Sequence, residues 1–358
     1  MYVYVVNIIS ILFYGILMER YDSLLKRRIF IFLSFFQTFL IFSLRNSFIG
    51  TDTYQMSLEY SLAHVRSFSE YLYLKAPLYY FLQDIFHLII PNSQGYMILC
   101  GLFIVGGTGI YIYKYSKNIV FSTYLFFSLY FFFFSMNGSR QSIAIVLISI
   151  GMMYVCEKKF LETFLLFSSA FLIHSTAIIC LPLMFLIFIK RRAIIRLCMF
   201  MYVFSILFFE KAMNVFILLF PKYSFYLTTE SIYNSGNNRK VLLTIFYFIF
   251  FCFALFVYLK TRDKKNKKEN FYFETSLFYL LNTIAIGIVA LKSIVLTRLE
   301  YYFSFQLILF IPFVLSKLNI KEKSFLYFCL WIVLSIPGIL QLIWNFGEVC
   351  PYKFFWEF

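Results

Sequence analysis

Residues 241–259 read VLLTIFYFIFFCFALFVYL, and residues 260–268, directly after them, read KTRDKKNKK. The first stretch carries no charge over the length of a bilayer core. Its run Ile245–Phe251 is continuously apolar, like Tyr130–Phe134 elsewhere, whereas the strands of a membrane β-barrel alternate apolar and polar residues. The second stretch packs six Lys and Arg into nine positions, the mark of a short cytoplasmic loop. Together they read as one transmembrane α-helix and its inner flank.

The rest of the chain repeats this grammar. Hydrophobic residues make up 62% of its 358 positions and charged residues 14%, with a mean hydropathy of +0.81. A soluble globule carries about 25% charged residues, so a set of soluble domains is excluded. The 51 Phe and 29 Tyr against 13 Gly mean that large side chains fill the volume between helices and towards lipid. Spans are expected at 2–18, 29–44, 96–113, 119–136, 141–156, 160–173, 176–189, 194–209, 241–259, 271–291, 299–316 and 324–344. The fold class is therefore an all-α polytopic membrane protein of about twelve helices, one membrane domain over residues 1–358. The first apolar stretch has no basic flank before it and no small-residue cleavage site, so it reads as a retained helix.

The net charge of +15 follows this topology rather than a nucleic-acid partner, since the basic residues lie between the apolar runs. With the first helix running outside to inside, the cytoplasmic loops hold Arg20, Lys26, Arg27, Arg28, Lys114, Lys117, Lys158, Lys159, Lys190, Arg191, Arg192, Arg196, the six of 260–268, Lys317, Lys321 and Lys323. That is 21 of the 32 Lys and Arg, all in short loops. Both termini then face outward, as do two longer segments, 45–95 and 210–240. Within the first, Pro77–Ile90 (PLYYFLQDIFHLII) sets Gln83, Asp84 and His87 on one helical face and suits a helix in the interface. Residues 228–240 (TTESIYNSGNNRK) read as an outer loop. The seven cysteines stand singly, without CxxC or metal-ligand spacing, and read as buried thiols.

Polar residues that interrupt the apolar runs collect on the outward side. Arg45 ends the second helix and Asp52 follows in RNSFIGTDTYQ; Arg140 lies in MNGSRQSIA, His174 in LIHSTAI, Lys292 and Arg298 in LKSIVLTRLEYYF, and Lys353 in PYKFF. Ionisable groups at such depth are costly and belong to a cavity or a pair. Each also has a plain structural reading. The arginines can snorkel to phosphate headgroups, Asp52 can cap a helix starting near Tyr54, and His174 can be a hydrogen-bonded core residue. Three arginines at the ends of different helices tilt the set towards a diphosphate or glycan site, because the planar guanidinium binds phosphate oxygens bidentately. No DxD or other acidic pair for a divalent metal is present, nor HExxH, a P-loop or GxSxG.

This order of short motifs, an Arg before GTD…Y, then NGSRQSIA, HSTA, TRLEYYF and PYKFF, resembles the EpsG branch of the Wzy-type polysaccharide polymerases over most of the chain. The resemblance implies an enzyme of the bacterial cytoplasmic membrane that joins repeat units carried on undecaprenyl diphosphate, on the outer side, making capsule, exopolysaccharide or O-antigen. It implies Arg45, Arg140 and Arg298 as diphosphate ligands, and Asp52 and His174 as catalytic residues, one of them accepting the attacking hydroxyl's proton. The reaction expected is inverting glycosyl transfer without metal or cofactor. The expected partners are the lipid-linked glycan donor and acceptor, membrane lipids, and as candidates a chain-length regulator and a flippase, with no nucleic acid. One departure stands out. Where the resemblance leads to an acid just before PLY, this chain has Lys75-Ala76-Pro77, and the nearest acids are Glu59, Glu70 and Asp84. Aromatic residues around 71–81 and 301–305 are candidates for a sugar groove. The rival readings are a lipid-linked oligosaccharide flippase or exporter, which needs polar residues along a path through the midplane, and another outward-facing transferase such as a glycan ligase or acyltransferase.

Overall fold

The computed structural model describes residues 1–19, 23–188, 237–262, 265–291, 297–345 and 347–357, with isolated positions between 200 and 218. The expected span at 194–209, most of the 210–240 segment and Lys292 lie outside the described residues. What is described is helical, apart from an isolated β-bridge between Arg45 and Phe354.

The chain opens with α1 (Tyr2–Glu19) and α2 (Leu24–Ser43), then, after three short helices at one end, α6 (Gln94–Tyr115). The three short ones are α3 (Thr53–Ser61), α4 (Phe68–Leu72) and α5 (Pro77–His87). They are followed by α7 (Ile119–Ser128), α8 (Phe131–Asn137), α9 (Ser139–Cys156), α10 (Phe160–Ile173) and a 3-10 helix over Ser175–Ile187. The chain resumes with α11 (Asn237–Thr261), α12 (Lys267–Ala290), α13 (Thr297–Ser304), α14 (Leu307–Leu315) and α15 (Ile320–Ile343). Among the described residues five helices are long and apolar enough to cross a membrane, or seven when each bent pair, α7–α8 and α13–α14, is taken as one span.

The first bend has a local cause. Between α7 and α8 the axis turns by 48°, and Tyr130 sits at the break with φ +72°, a left-handed conformation that ends a helix. The α13–α14 pair bends by 43°. Pro312, inside α14, has no N–H to give the carbonyl of Ile308, and Ser122 Oγ from α7 donates to that carbonyl instead at 2.8 Å. Helix α9 is the centre of the bundle and packs against α6, α8, α10, the 3-10 helix, α12 and α13. Its neighbours approach over a wall of buried aromatic residues, Phe126, Phe131, Phe132 and Phe305, meeting edge to face or tilted at centroid distances of 5.0–6.4 Å.

The basic loops converge at one end of the bundle. Arg27 at the start of α2 donates to the carbonyls of Tyr113 and Ser116 at 2.7 and 2.9 Å, satisfying the exposed end of α6 with a cation where its dipole is negative. Lys114 reaches Tyr154, Lys268 lies 3.9 Å from Glu157, and Lys317 pairs with Glu269. The opposite end carries the short helices α3–α5, the start of α1 and the C-terminal tail. Tyr4 donates to the Val349 carbonyl and Tyr352 to the Ile41 carbonyl, each at 2.8 Å. Helix α5 takes the amphipathic form the sequence predicts, in a particular sense. Gln83 and Asp84 are buried against the protein, while Phe81, Ile85, Leu88 and Ile89 are exposed.

Candidate functional site

The loop Arg45–Asp52 crosses the end of the bundle, held from both sides. Asn46 N donates to the Lys353 carbonyl at 2.9 Å and Gly50 N to the Glu348 carbonyl at 3.0 Å, so the C-terminal tail lies along it. Gly50 has φ +95°, and a Cβ there would meet the Met136 carbonyl at 2.9 Å. On the inner side Asn137 Oδ1 accepts from both N and Oγ1 of Thr51, at 2.7 and 3.0 Å. The loop therefore delivers Asp52 to a fixed place at the start of α3.

Asp52 occupies the N-cap position of α3, but its side chain makes no capping bond. Thr51 Oγ1 donates to Oδ1 at 3.1 Å, and Oδ2 lies 3.7 Å from Nη2 of Arg298. The plain capping role is thus not the one its carboxylate takes. The two partners are 246 positions apart in sequence and both partly open, with side-chain exposures of 42% and 54%. Gln141, one residue after Arg140, donates through Nε2 to the Arg298 carbonyl at 2.5 Å, which ties the start of α13 to the start of α9.

Arg140 stands in the first turn of α9. That helix begins after Gly138 with no side chain capping its amides, so its N-terminal N–H groups present partial positive charge beside the guanidinium. Arg140 Nη1 donates to the Tyr80 hydroxyl at 3.2 Å and sits near the rings of Tyr79 and Tyr80, 5.4 and 5.9 Å from their centroids. His174 lies in the junction between α10 and the 3-10 helix, outside both. Burial pushes its pKa down to about 4, and the positive fields of Arg140 and Arg298 push the same way. The imidazole is neutral at neutral pH and lies within reach of both arginines' charge. Beside it, the hydroxyls of Thr176 and Tyr302 are 3.0 Å apart. Helix α10 covers about 21 Å at 1.5 Å per residue, well short of a ~30 Å hydrocarbon core, so His174 is reached before a full crossing from the basic end.

Arg45, expected among the diphosphate ligands, is a correction. Its side chain is fully buried. The guanidinium stacks 4.0 Å from the Phe42 ring centroid and donates to the carbonyls of Phe42 and Met136, at 2.8 and 3.3 Å. Those carbonyls belong to the last turns of α2 and α8, where a cation complements the helix dipole. Arg45 pins two helix ends beneath the loop and presents nothing to the open face. The aromatic cluster at 301–305 is a second correction. Tyr302, Phe303 and Phe305 are buried in the core and line no groove.

Four of the five expected residues, Asp52, Arg140, His174 and Arg298, thus come together at the end away from the basic loops. Sequence reasoning reached Tyr79 and Tyr80 only as part of the aromatic stretch 71–81, and it did not single out Asn137 or Gln141. The signal for the last two was adjacency, since both lie inside NGSRQ. Of the three acids near the Lys75-Ala76-Pro77 departure, Asp84 is buried, accepting from Arg66 at 2.6 Å and from Tyr71 at 2.7 Å. Glu70 caps its own helix through Ser67 N and Oγ, at 2.5 and 2.8 Å, and the same bonds hold its pKa below the usual carboxylate value. Glu59 is half-buried on α3.

Fold and site together define a polytopic α-helical membrane protein that gathers arginines, single carboxylates and a neutral histidine at one end. Residues 28–354 match the EpsG family, nearly the whole chain, and the protein belongs to that family. It is a membrane protein of polysaccharide biosynthesis. No match to the chain occurs among curated proteins or among solved structures.

Proposed function

We propose that this protein is a repeat-unit polymerase, an inverting glycosyltransferase that works on undecaprenyl-diphosphate-linked oligosaccharides at the outer face of the cytoplasmic membrane. The observation that carries the reading is the Asp52–Arg298 pair standing with Arg140 and His174 at the end opposite the basic loops. Basic loops stay in the cytoplasm, so the site end faces outward, where lipid-linked repeat units are met. There the growing chain's anomeric carbon would be attacked by a hydroxyl of the next unit. The new C–O bond forms as the bond to the diphosphate oxygen breaks, and that oxygen leaves with the electron pair.

Arg298 and Arg140 would neutralise the leaving diphosphate, together with the open N-terminus of α9. In the ligand-free arrangement Asp52 is the counter-ion of Arg298, at a loose 3.7 Å. A bidentate diphosphate is the stronger partner for a guanidinium, and its arrival releases the Asp52 carboxylate to take the hydroxyl proton. His174, neutral and unprotonated, is the second acceptor within the same field. The mechanism runs without a divalent ion because positive charge is already supplied by side chains. Arg45 holds the platform rather than the substrate.

Purified protein given lipid-linked repeat units tests the reading directly. A ladder of chain lengths supports it. Transfer of intact units across a vesicle membrane without new glycosidic bonds would instead make the protein a flippase, and a single transfer onto a different acceptor would make it a ligase.

A further inference from the structure

Thr51 has one hydroxyl hydrogen and two side-chain oxygens within reach of it. Asp52 Oδ1 lies at 3.1 Å and Asn137 Oδ1 at 3.0 Å. The two acceptors differ in kind. An ionised carboxylate draws a hydroxyl hydrogen more strongly than a neutral amide oxygen does. Asn137 Oδ1 does not depend on that hydrogen, because Thr51 N already donates to it at 2.7 Å, and an amide oxygen has room for a second donor. The frame around this hydroxyl is held on each side. Asn137 is the last residue of α8, and the C-terminal tail passes its amide closely. Gly347 there has φ +82°, and a Cβ on it would come within 2.5 Å of Asn137 Nδ2. On the loop side, Gly50 N is held by the Glu348 carbonyl at 3.0 Å, and Thr53 Oγ1 donates to the Met136 carbonyl at 2.9 Å. With backbone and acceptors fixed, what turns is the O–H bond of Thr51.

We propose that Thr51 is a positioning residue for Asp52, a hydroxyl that gives its hydrogen to Asp52 while the carboxylate is ionised and to Asn137 once it is protonated. The inference rests on the polymerase reading, in which Asp52 takes the proton of the attacking sugar hydroxyl. Before transfer, the Thr51 hydrogen holds Oδ1, which leaves Oδ2, the oxygen facing Arg298, to receive the proton. As the sugar O–H bond breaks, its electron pair goes into the new C–O bond and its proton to Oδ2. The carboxyl group is then neutral and its hold on Thr51 weakens, so the hydrogen turns to Asn137 Oδ1. No proton passes through Thr51; only the direction of its hydrogen bond changes. Both charge states of Asp52 leave the Thr51 hydroxyl paired, and the carboxylate is presented in one orientation for the attack. Thr51 and Asn137 act on the substrate through Asp52.

The experiment uses the full chain in lipid nanodiscs, with lipid-linked repeat units for turnover and farnesyl diphosphate as a separate probe of the arginines. Thr51→Val keeps the branched shape and the backbone N–H but removes the hydroxyl. It should lower kcat by about tenfold to a hundredfold, the loss of one hydrogen bond to a charged group, and leave farnesyl diphosphate affinity within about twofold. Thr51→Ser returns the hydroxyl and should bring kcat back to within about threefold of wild type. Asn137→Ala removes the second acceptor and should lower kcat by about tenfold with the same unchanged probe affinity. Wild-type kcat in Thr51→Val or in Asn137→Ala overturns the proposal while the polymerase reading stands. So does equal failure of Thr51→Val and Thr51→Ser, because the hydroxyl would then not be what matters. A fall in farnesyl diphosphate affinity that matches the loss of kcat overturns it too, since the loop would then only shape the arginine site. Wild-type protein that neither binds the diphosphate probe nor extends chains removes the polymerase reading, and this inference with it.

Discussion

Lysine at position 45 and lysine at position 298 make the same chemical change in two different surroundings, and the structure gives them opposite outcomes. At 45 the guanidinium has no solvent contact, spans the carbonyls of Phe42 and Met136, and stacks on the Phe42 ring. An ammonium cannot hold both carbonyls in a planar fork. Arg45→Lys loses one charged hydrogen bond, about 1.5–3 kcal/mol, and about 1 kcal/mol of desolvated stacking, so roughly 2–4 kcal/mol in all. Spread over a chain of this size, that lowers Tm by about 3–5 °C. At 298 the ion pair with Asp52 is half open at 3.7 Å, and such pairs contribute at most about 1 kcal/mol. Arg298→Lys should melt within about 2 °C of wild type and lose about 10²–10³-fold in turnover, the usual effect of removing one donor that stabilises a leaving group. Detergent-solubilised protein followed by thermal unfolding, with polymer ladders run on the same preparations, reads both. A wild-type Tm and ladder for Arg45→Lys would refute its role as a pin. A wild-type ladder for Arg298→Lys would refute the diphosphate assignment, and a collapsed Tm there would show that the Asp52–Arg298 pair is structural.

Three further outcomes follow from the same geometry. His174 has a folded pKa of about 4 against an ordinary 6.5, so between those values the unfolded chain takes up a proton that the folded one refuses. Stability should therefore fall on acidification from pH 6.5 towards 4 and be flat for this group above 6.5. His174→Gln should lose less Tm than wild type between pH 7 and pH 5, and an equal loss would refute the assignment. For topology, cysteines placed at the exposed Asn92 and Asn266 sit at opposite ends of the bundle, and an impermeant thiol reagent on intact cells should label the first alone. Labelling of Asn266→Cys would turn the site inward and end the lipid-linked polymerase reading. Polymerisation should also persist in EDTA, because the arginines supply the charge. Full loss restored by Mg²⁺ or Mn²⁺ would call for a metal-dependent transfer.

The membrane class was legible because hydropathy reports composition over the length scale of a bilayer, and stretches such as 241–259 admit one reading. The bends were not. Tyr130 turns left-handed in the middle of a run, SLYFFFF, that is as apolar as any unbroken helix, and no residue type there announces it. The site was legible as a set of interruptions sharing one end of the molecule. Four of its five expected members do share that end. What the sequence could not separate was Arg45 from Arg298. Each is an arginine beside a helix end, and the difference lies in contacts remote along the chain. The Met136 carbonyl captures one, 91 residues away, and Asp52 faces the other.

The polar groups inside the spans bear on the choice between polymerase and flippase. A flippase needs side chains that hand a charged headgroup through the midplane, and those side chains must be free to face a path. Seven of the hydroxyls among the described spans turn back on their own helices. Thr38, Thr108, Thr123, Ser149, Thr275, Thr283 and Ser335 each donate to the carbonyl four residues earlier, at 2.6–2.9 Å. Between the helices at that depth lie Phe126, Phe132, Ile145 and Phe310, all with less than 3% exposure. Among the described residues three acids are buried, Asp84 on α5 and two within the bundle. Glu274 is seven residues into α12 and takes the Tyr258 hydroxyl, and Glu300 lies in the first turn of α13. Among the described residues, a headgroup crossing this interior would have to part an aromatic wall, whereas one held at the α9 end would meet Arg140 and Arg298 without entering it. The arrangement favours chemistry at the surface of the bundle over passage through it.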